Sequence, residues 1–216
     1  MHAQKNAFGL SGGFYRFRAP AWDELLDKYN SGDTVTSPQP GFTHTPLASF
    51  FYERKVKDYL YTQVHFSYGF MQSVSYQGGE LKLKVQLPGA GISLNWYPVK
   101  MIKGFRKSAL NPILVQFNFR GLYQKKELTL NGAPVWDADS TDVFADNVGL
   151  FIGAGIGYDL HFGRRLVIQT IFDGAFCPSF EMIEFEYFIP LHEKLGYSLI
   201  SRATLFGGHL SFLFLF

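Results

Sequence analysis

The chain has 216 residues, room for one large domain or two small ones, and a formal net charge of +2 from 20 Lys and Arg against 18 Asp and Glu. That balance excludes nucleic acid from the expected partners, and the single Cys177 excludes an intramolecular disulfide and a thiolate metal framework. Mean hydropathy is −0.01, and no apolar run reaches the roughly 18 residues of a membrane helix, yet 18% of the residues are aromatic, with 23 Phe and 22 Gly. A membrane β-barrel is compatible with these values, because its apolar surface occupies alternate positions and averages away along the sequence, so composition is neutral on membrane location and the pattern decides.

In chain order, Met1-His2-Ala3-Gln4 fits the tail of a signal peptide, with Ala3 at the small-residue position. The first strand places Phe8, Leu10, Gly12 and Phe14 on one face and Gly9, Ser11, Gly13 and Tyr15 on the other. After Pro20, the helical spacing of Trp22, Leu25, Leu26 and Tyr29, with Gly32 as a stop, predicts a short amphipathic helix in the first loop. Pro46 to Lys55 reads as a weaker strand. Leu60 to Tyr76 alternates throughout and outlasts a bilayer crossing, so it is expected to project beyond the membrane.

Leu81 to Tyr97 also reads as a strand, but its alternation shifts across Pro88-Gly89-Ala90-Gly91, which predicts a β-bulge. Val99 to Leu110 is a long turn made basic by Lys100, Lys103, Arg106 and Lys107. From Ile113 to Gln124, apolar Val115, Phe117 and Phe119 alternate with Gln116, Asn118 and Arg120. Asn131-Gly132 between Glu127-Leu128-Thr129-Leu130 and Ala133-Pro134-Val135-Trp136 is a strong hairpin signal. Asp137, Asp139, Asp142 and Asp146 follow; they read as a solvated acidic loop, with a calcium or magnesium site as the alternative, although the cluster lacks the glycine and terminal Glu of a calcium-binding hand.

The clearest strand is Val148 to Phe162, where Leu150, Ile152, Ile156, Tyr158 and Leu160 face one way and Gly149, Gly153, Gly155, Gly157, Asp159 and His161 the other. Four glycines on one face weaken a soluble core but leave room inside a narrow barrel. A tight turn at Gly163-Arg164-Arg165 leads to Leu166 to Cys177, and the final strand runs through Leu210, Phe212, Phe214 and Phe216. The last loop interleaves Glu181, Glu184 and Glu186 with Ile183, Phe185 and Tyr187, the pattern of an edge strand with one sticky face.

These elements predict an all-β fold: a transmembrane up-and-down antiparallel β-barrel of about eight strands, with long extracellular loops carrying one short helix, as one domain over residues 1–216. Tyr59, Trp96, Phe162 and Phe216 are expected at the periplasmic interface and Phe14, Tyr76, Tyr123 and Phe176 at the outer one. The strand set, the wall Gly153-Ala154-Gly155-Ile156-Gly157-Tyr158, the tight turn after Phe162 and the terminal Phe212-Leu213-Phe214-Leu215-Phe216 together resemble the small outer-membrane β-barrel family, nearest the OmpX/OmpA-type barrel domain in the form common in Bacteroidota. The resemblance implies a bacterial outer-membrane location and contact with outer-membrane lipid. It also implies transient recognition of Phe212, Phe214 and Phe216 by the barrel-assembly machinery. It does not imply an activity, because that family includes anchors, adhesins, small pores and subunits of larger complexes.

Inward parity gathers Glu53, His65, Arg120, Asp159, His161, Asp173 and His209 into one expected polar network, which fills the lumen as a plug or lines a small gated pore. His65 and Ser67 form a His-x-Ser pair weakly similar to that of the barrel lipid A deacylases. No acidic residue shares their strand, and both point away from lipid, so no catalytic residue is assigned. No cofactor or metal site is expected. The first-loop helix and the last loop, through Trp22, Leu25, Leu26, Tyr29, Ile183, Phe185 and Tyr187, are the expected partner-facing surfaces. The reading reached is a non-catalytic structural or interaction barrel, an accessory subunit of an outer-membrane protein complex. A small pore or hydrophobic-ligand channel is the first alternative and a lipid-modifying enzyme the second.

Overall fold

A computed structural model describes residues 6–18, 44–76, 80–102, 109–131, 133–134, 147–182 and 199–216. Its strands are β1 (Asn6–Arg18), β2 (His44–Lys57), β3 (Leu60–Tyr76), β4 (Glu80–Trp96), β5 (Ile113–Leu130), β6 (Ala133–Pro134), β7 (Asn147–Phe162), β8 (Leu166–Met182) and β9 (Leu199–Leu215). Every pairing is antiparallel, and pairing of β1 with β9 and of β4 with β5 closes eight strands into a barrel, with β6 a two-residue appendage to β5. Closure removes the sheet edges that a membrane could not hydrogen-bond.

The registers fix the barrel's shape. A circuit along paired residues runs Ala7, Glu53, Gln63, Ser93, Asn118, Gly153, Ala175, Leu205 and ends on Phe17, ten residues further along β1. With a rise of ~3.3 Å per residue and strands ~4.8 Å apart, that stagger tilts the strands by about 40°. On β7 every even residue from Leu150 to Phe162 is exposed, a run that climbs about 30 Å at this tilt, the thickness of a bilayer core. Phe8, Phe14, Phe50, Phe66, Ile92, Phe117, Phe172, Phe206 and Phe212 continue the apolar belt around the other strands. Neither a soluble barrel nor a sandwich exposes such a surface. It is that of an outer-membrane barrel.

The lumen is filled in layers. Its middle carries the buried polar side chains, among them Glu53, Gln63, His65, Ser93, Asn95, Gln116, Asn118, Arg120, Gln169 and Asp173. Towards the loop end the filling turns apolar: Tyr15, Leu47, Leu122, Phe151 and Ala175, then Phe17, Met71, Leu87, Cys177 and Leu205, all buried. At the turn end Ala7, Phe51, Val167 and Leu213 pack together on one side and Tyr97, Leu114 and Ile171 on the other. The polar side chains therefore occupy the middle of the lumen rather than its whole length. The charged zone is capped at both ends.

The interior glycines let the walls approach. A Cβ on Gly155 would lie 2.6 Å from the Asp173 Cβ and 2.7 Å from the Phe172 carbonyl oxygen, and one on Gly91 would lie 2.4 Å from the Phe119 carbonyl oxygen. Lipid-facing Gly12 would meet nothing within 4 Å.

The predicted bulge in β4 is absent. From Leu60↔Trp96 to Tyr76↔Glu80 the pairing with β3 never slips, and the pairing with β5 keeps one register on both sides of a gap at Leu87 and Pro88, where proline has no N–H to donate. What changes along β4 is the surroundings. Pro88, Ala90, Ile92 and Leu94 face lipid, whereas further up Lys82, Lys84 and Gln86 hold the same outward parity while Val85 and Leu87 are buried. A fixed alternation crossing from membrane into water reads in sequence as a parity shift.

Several strands outlast the belt. The β2–β3 ladder ends at Leu47↔Gly69, but β3 continues to Tyr76 and β5 to Leu130, pairing Leu81. The predicted hairpin forms there, with Asn131 at φ 51° and Leu130↔Ala133 paired, the left-handed conformation such a turn demands. β8 and β9 also extend, with a register shift between Cys177 and Phe180, to Met182↔Leu199. β5 and β8 thus run past Gln124 and Cys177, where their strands were expected to end. Tyr76 pairs with Glu80, six residues beyond lipid-facing Phe70. Tyr59 packs against the interior cluster of Tyr97, Leu114 and Ile171 and so leaves the periplasmic girdle, while Phe162 and Phe216 remain exposed there. The expected first-loop helix and the acidic residues Asp137, Asp139, Asp142 and Asp146 lie outside the described residues.

Candidate functional site

The expected single polar network divides into two, separated along the barrel axis. The upper one centres on Asp173 of β8, whose Oδ1 accepts from the Tyr15 hydroxyl at 2.8 Å and whose Oδ2 accepts from Asn118 Nδ2 at 3.1 Å. His209 Nδ1 lies 2.7 Å from the same tyrosine oxygen and 3.7 Å from Asp173 Oδ1. Arg120 brings a terminal nitrogen to 3.9 Å from Asp173 Oδ2 and sets its guanidinium 5.8 Å from the centre of the Tyr15 ring. A buried carboxylate is tolerated only when paired and hydrogen-bonded, and three strands, β1, β5 and β9, supply these partners.

The lower network joins Glu53, Asn95 and Gln116 through 2.8 and 2.9 Å bonds: Asn95 donates to Glu53 Oε2 and Gln116 donates to Asn95 Oδ1. Beside it Asp159 accepts from the Tyr97 hydroxyl at 2.5 Å and from Gln169 Nε2 at 2.9 Å. His161, two residues on from Asp159, is exposed at the end of β7 beside the tight turn and does not enter the lumen network. Its parity is inward, but the barrel ends before it. Tyr15, Asn95, Gln116, Asn118 and Gln169 all point inward by strand alternation, which could have found them. Alternation gives their inward face but not which of them meets a buried carboxylate.

His65 and Ser67 are both buried in the lumen. Nδ1 of His65 lies 3.5 Å from Ser93 Oγ, and Glu53 is engaged by Asn95. His65 Nε2, Ser67 Oγ and Arg120 Nε have no partner among the described residues. His65 and Arg120 line a cavity of about 20 Å³ together with Ser11, Ser49, Ser93 and Ser211, room for about one water. No base-to-nucleophile bond with a supporting carboxylate exists among these groups, and the lipid belt is on the other side of the wall.

The turn after β4 shapes the lower mouth. A single helical turn, Pro98–Met101, follows Tyr97 and is pinned by a 3.2 Å contact from Trp96 Nε1 to Met101 Sδ. It carries Lys100 inward, so that Nζ sits 3.4 Å from the centre of the Tyr97 ring and 5.4 Å from that of Tyr61. Burial pushes the Lys100 pKa down, while the charges of Asp159 and Glu53 pull it back up. Around the same end, Arg54, Arg164 and Arg165 are exposed.

The C-terminal residues seal the barrel at this end. Phe216 donates its backbone N–H to the Asn6 carbonyl at 3.0 Å and stacks on Phe8 with ring centres 5.3 Å apart, while Phe212 and Phe214 face lipid. Of the expected partner-facing residues, Trp22, Leu25, Leu26, Tyr29, Ile183, Phe185 and Tyr187 all lie outside the described residues.

No family model matches the chain, and no curated protein matches it. Among solved structures it is similar to Neisserial surface protein A, at 7% identity and TM-score 0.45 over 95% of each chain. It is similar to the outer membrane protein OprG from Pseudomonas aeruginosa at 8% identity and TM-score 0.40 over 96% of each. It is also similar to Ail, the attachment invasion locus protein of Yersinia pestis, in complex with the heparin analogue sucrose octasulfate, at 9% identity and TM-score 0.47, covering 98% of this chain and 99% of that one. Likeness at this level carries no argument about activity, and the chain's own belt and closed ladder identify it as an outer-membrane β-barrel.

Proposed function

We propose that this chain is a non-catalytic barrel that anchors an external β platform in the bacterial outer membrane, serving as an accessory subunit of an outer-membrane protein complex. The observation that supports this reading is the contrast between a lumen shut by apolar layers and strands that continue past the belt. A conducting barrel needs a continuous wet path, and Phe17, Leu87, Phe151 and Leu205 stand across it. Trp22, Leu25, Leu26, Tyr29, Ile183, Phe185 and Tyr187 supply the apolar contacts to the partner. Outer-membrane lipid surrounds the belt, and the barrel-assembly machinery reads Phe212, Phe214 and Phe216 during insertion.

The test is mild detergent extraction with crosslinking, alongside reconstitution of the full chain in a planar bilayer. A stoichiometric protein partner and no conductance above the lipid baseline is the expected result. A lone monomer that conducts ions overturns the proposal.

A further inference from the structure

The lower mouth of the barrel has the parts of an ammonium-binding site. Tyr97 and Tyr61 present their rings at an edge-to-face angle of 65°, with centres 5.3 Å apart. Behind them stand Asp159, which holds the Tyr97 hydroxyl, and Glu53. Aromatic faces attract a cation through their quadrupole, and carboxylates behind them add long-range attraction. The chain's own primary ammonium occupies this place: Lys100 Nζ lies over Tyr97 at 3.4 Å. Burial is the largest influence on this ammonium and works against its charge, while Asp159, Glu53 and Asp58 favour it and Lys55 opposes it, so the close ring contact is what marks the place. Its side chain is half-buried rather than sealed in, so the mouth is reachable from the turn end.

We propose that this mouth is a recognition site for small primary alkylammonium ions, held by Lys100 as a tethered self-ligand that an external amine displaces. Lys100 sits on a four-residue helical turn held by the Trp96–Met101 contact and by short-range backbone bonds of Tyr97, Lys100 and Ile102, outside the strand ladders, so withdrawal of its side chain leaves the ladders intact. Tethering gives Lys100 a high effective concentration. An external amine therefore binds the natural chain weakly and a chain without Lys100 far better. Removal of the lysine side chain also vacates space of the length and charge of a short alkylammonium.

The experiment is calorimetric titration of n-propylammonium chloride into the detergent-solubilised full chain, its Lys100→Ala variant and the Lys100→Ala/Tyr97→Phe and Lys100→Ala/Tyr61→Leu double variants, with sodium chloride as the control titrant. Saturable binding to Lys100→Ala, at least tenfold weaker binding to the natural chain, retention in the Tyr97→Phe background and loss in the Tyr61→Leu background are expected. Absence of heat with Lys100→Ala overturns the proposal, as do equal binding with and without Lys100 and an equal response to sodium. Should the Tyr61→Leu background fail to fold, Tyr61→Phe with a Lys100→Ala thermal melt replaces it. A rise in melting temperature with n-propylammonium but not with sodium then supports the site, and equal rises overturn it.

Discussion

The Tyr15 hydroxyl of β1 donates to Asp173 of β8 across the lumen, a 2.8 Å bond between residues 158 positions apart on strands that are not neighbours in the sheet. The same oxygen meets His209 of the intervening β9. Ladder hydrogen bonds join each strand to its neighbour, whereas this bond ties β1 to β8 over the inner face of β9. Tyr15→Phe keeps the ring under Arg120 and removes only this tie, leaving one oxygen of a buried carboxylate short of a donor. We expect it to lower stability by about 1–3 kcal/mol, read as a shift in the urea midpoint of the barrel in lipid vesicles with an unchanged denaturant slope.

Asp173 and Arg120 form the only ion pair between Arg or Lys and a carboxylate buried on both sides among the described residues. Asp173→Ala leaves the guanidinium without its counterion, a loss of about 3–5 kcal/mol, while replacing both partners by apolar residues of similar volume relieves much of it. A double-mutant cycle with Arg120→Met and Asp173→Leu checks this. Additive single effects would show that the pair does not couple.

How much of this was legible beforehand follows from what alternation encodes. Inward and outward faces of β1, β3, β5, β7 and β9 were readable because a side chain's parity survives folding. The β4 reading failed because parity is blind to where the membrane stops: Lys82 and Ile92 share one outward face, and only the depth of each in the barrel separates water from lipid. The site was half legible for a related reason. Asp173, Arg120 and His209 were expected inside, but which of them touch depends on a ten-residue stagger that no single strand reveals. Lys100 lay beyond reach, since its entry into the mouth depends on the helical turn at Pro98.

The interior glycines supply a matched pair of substitutions. Gly155→Ala forces a Cβ against Asp173 and the β8 backbone, whereas Gly12→Ala adds a methyl to open lipid. Overpacking of a close-packed interior costs about 1–3 kcal/mol, so Gly155→Ala should lower the yield of folded barrel and its urea midpoint while Gly12→Ala leaves both unchanged. Equal tolerance at the two positions would mean that the wall relaxes more freely than the β7–β8 ladder suggests.

Lys100 gives a pH dependence with a definite sign. Burial holds its folded pKa below the ordinary value of 10.5, so between the two values the unfolded chain binds more protons and stability rises with pH. The contribution is flat below the lowered pKa, grows as pH climbs through it and levels off above the ordinary lysine value. Unfolding midpoints collected from neutral to alkaline pH should show this rise in the natural chain and lose it in Lys100→Met. A rise that persists in the variant assigns it to another group.

Depth along β7 provides the test of membrane placement. Ile156 lies near the middle of the outward run from Leu150 to Phe162 and is 59% exposed, whereas Phe162 sits at its lower end beside the exposed Arg164 and Arg165. A charge at the bilayer midplane costs about 2–4 kcal/mol and near an interface about 0–1. The cost falls towards the edge because a long cationic side chain there can reach headgroups and water. Ile156→Arg should therefore destabilise the barrel in vesicles strongly and Phe162→Arg weakly. In a detergent micelle, whose apolar layer is thinner and more deformable, the gap should narrow. Equal effects at the two positions in vesicles would mean that the bilayer midplane does not cross β7 at Ile156, and the belt would have to be redrawn from a series of arginine substitutions along the same face.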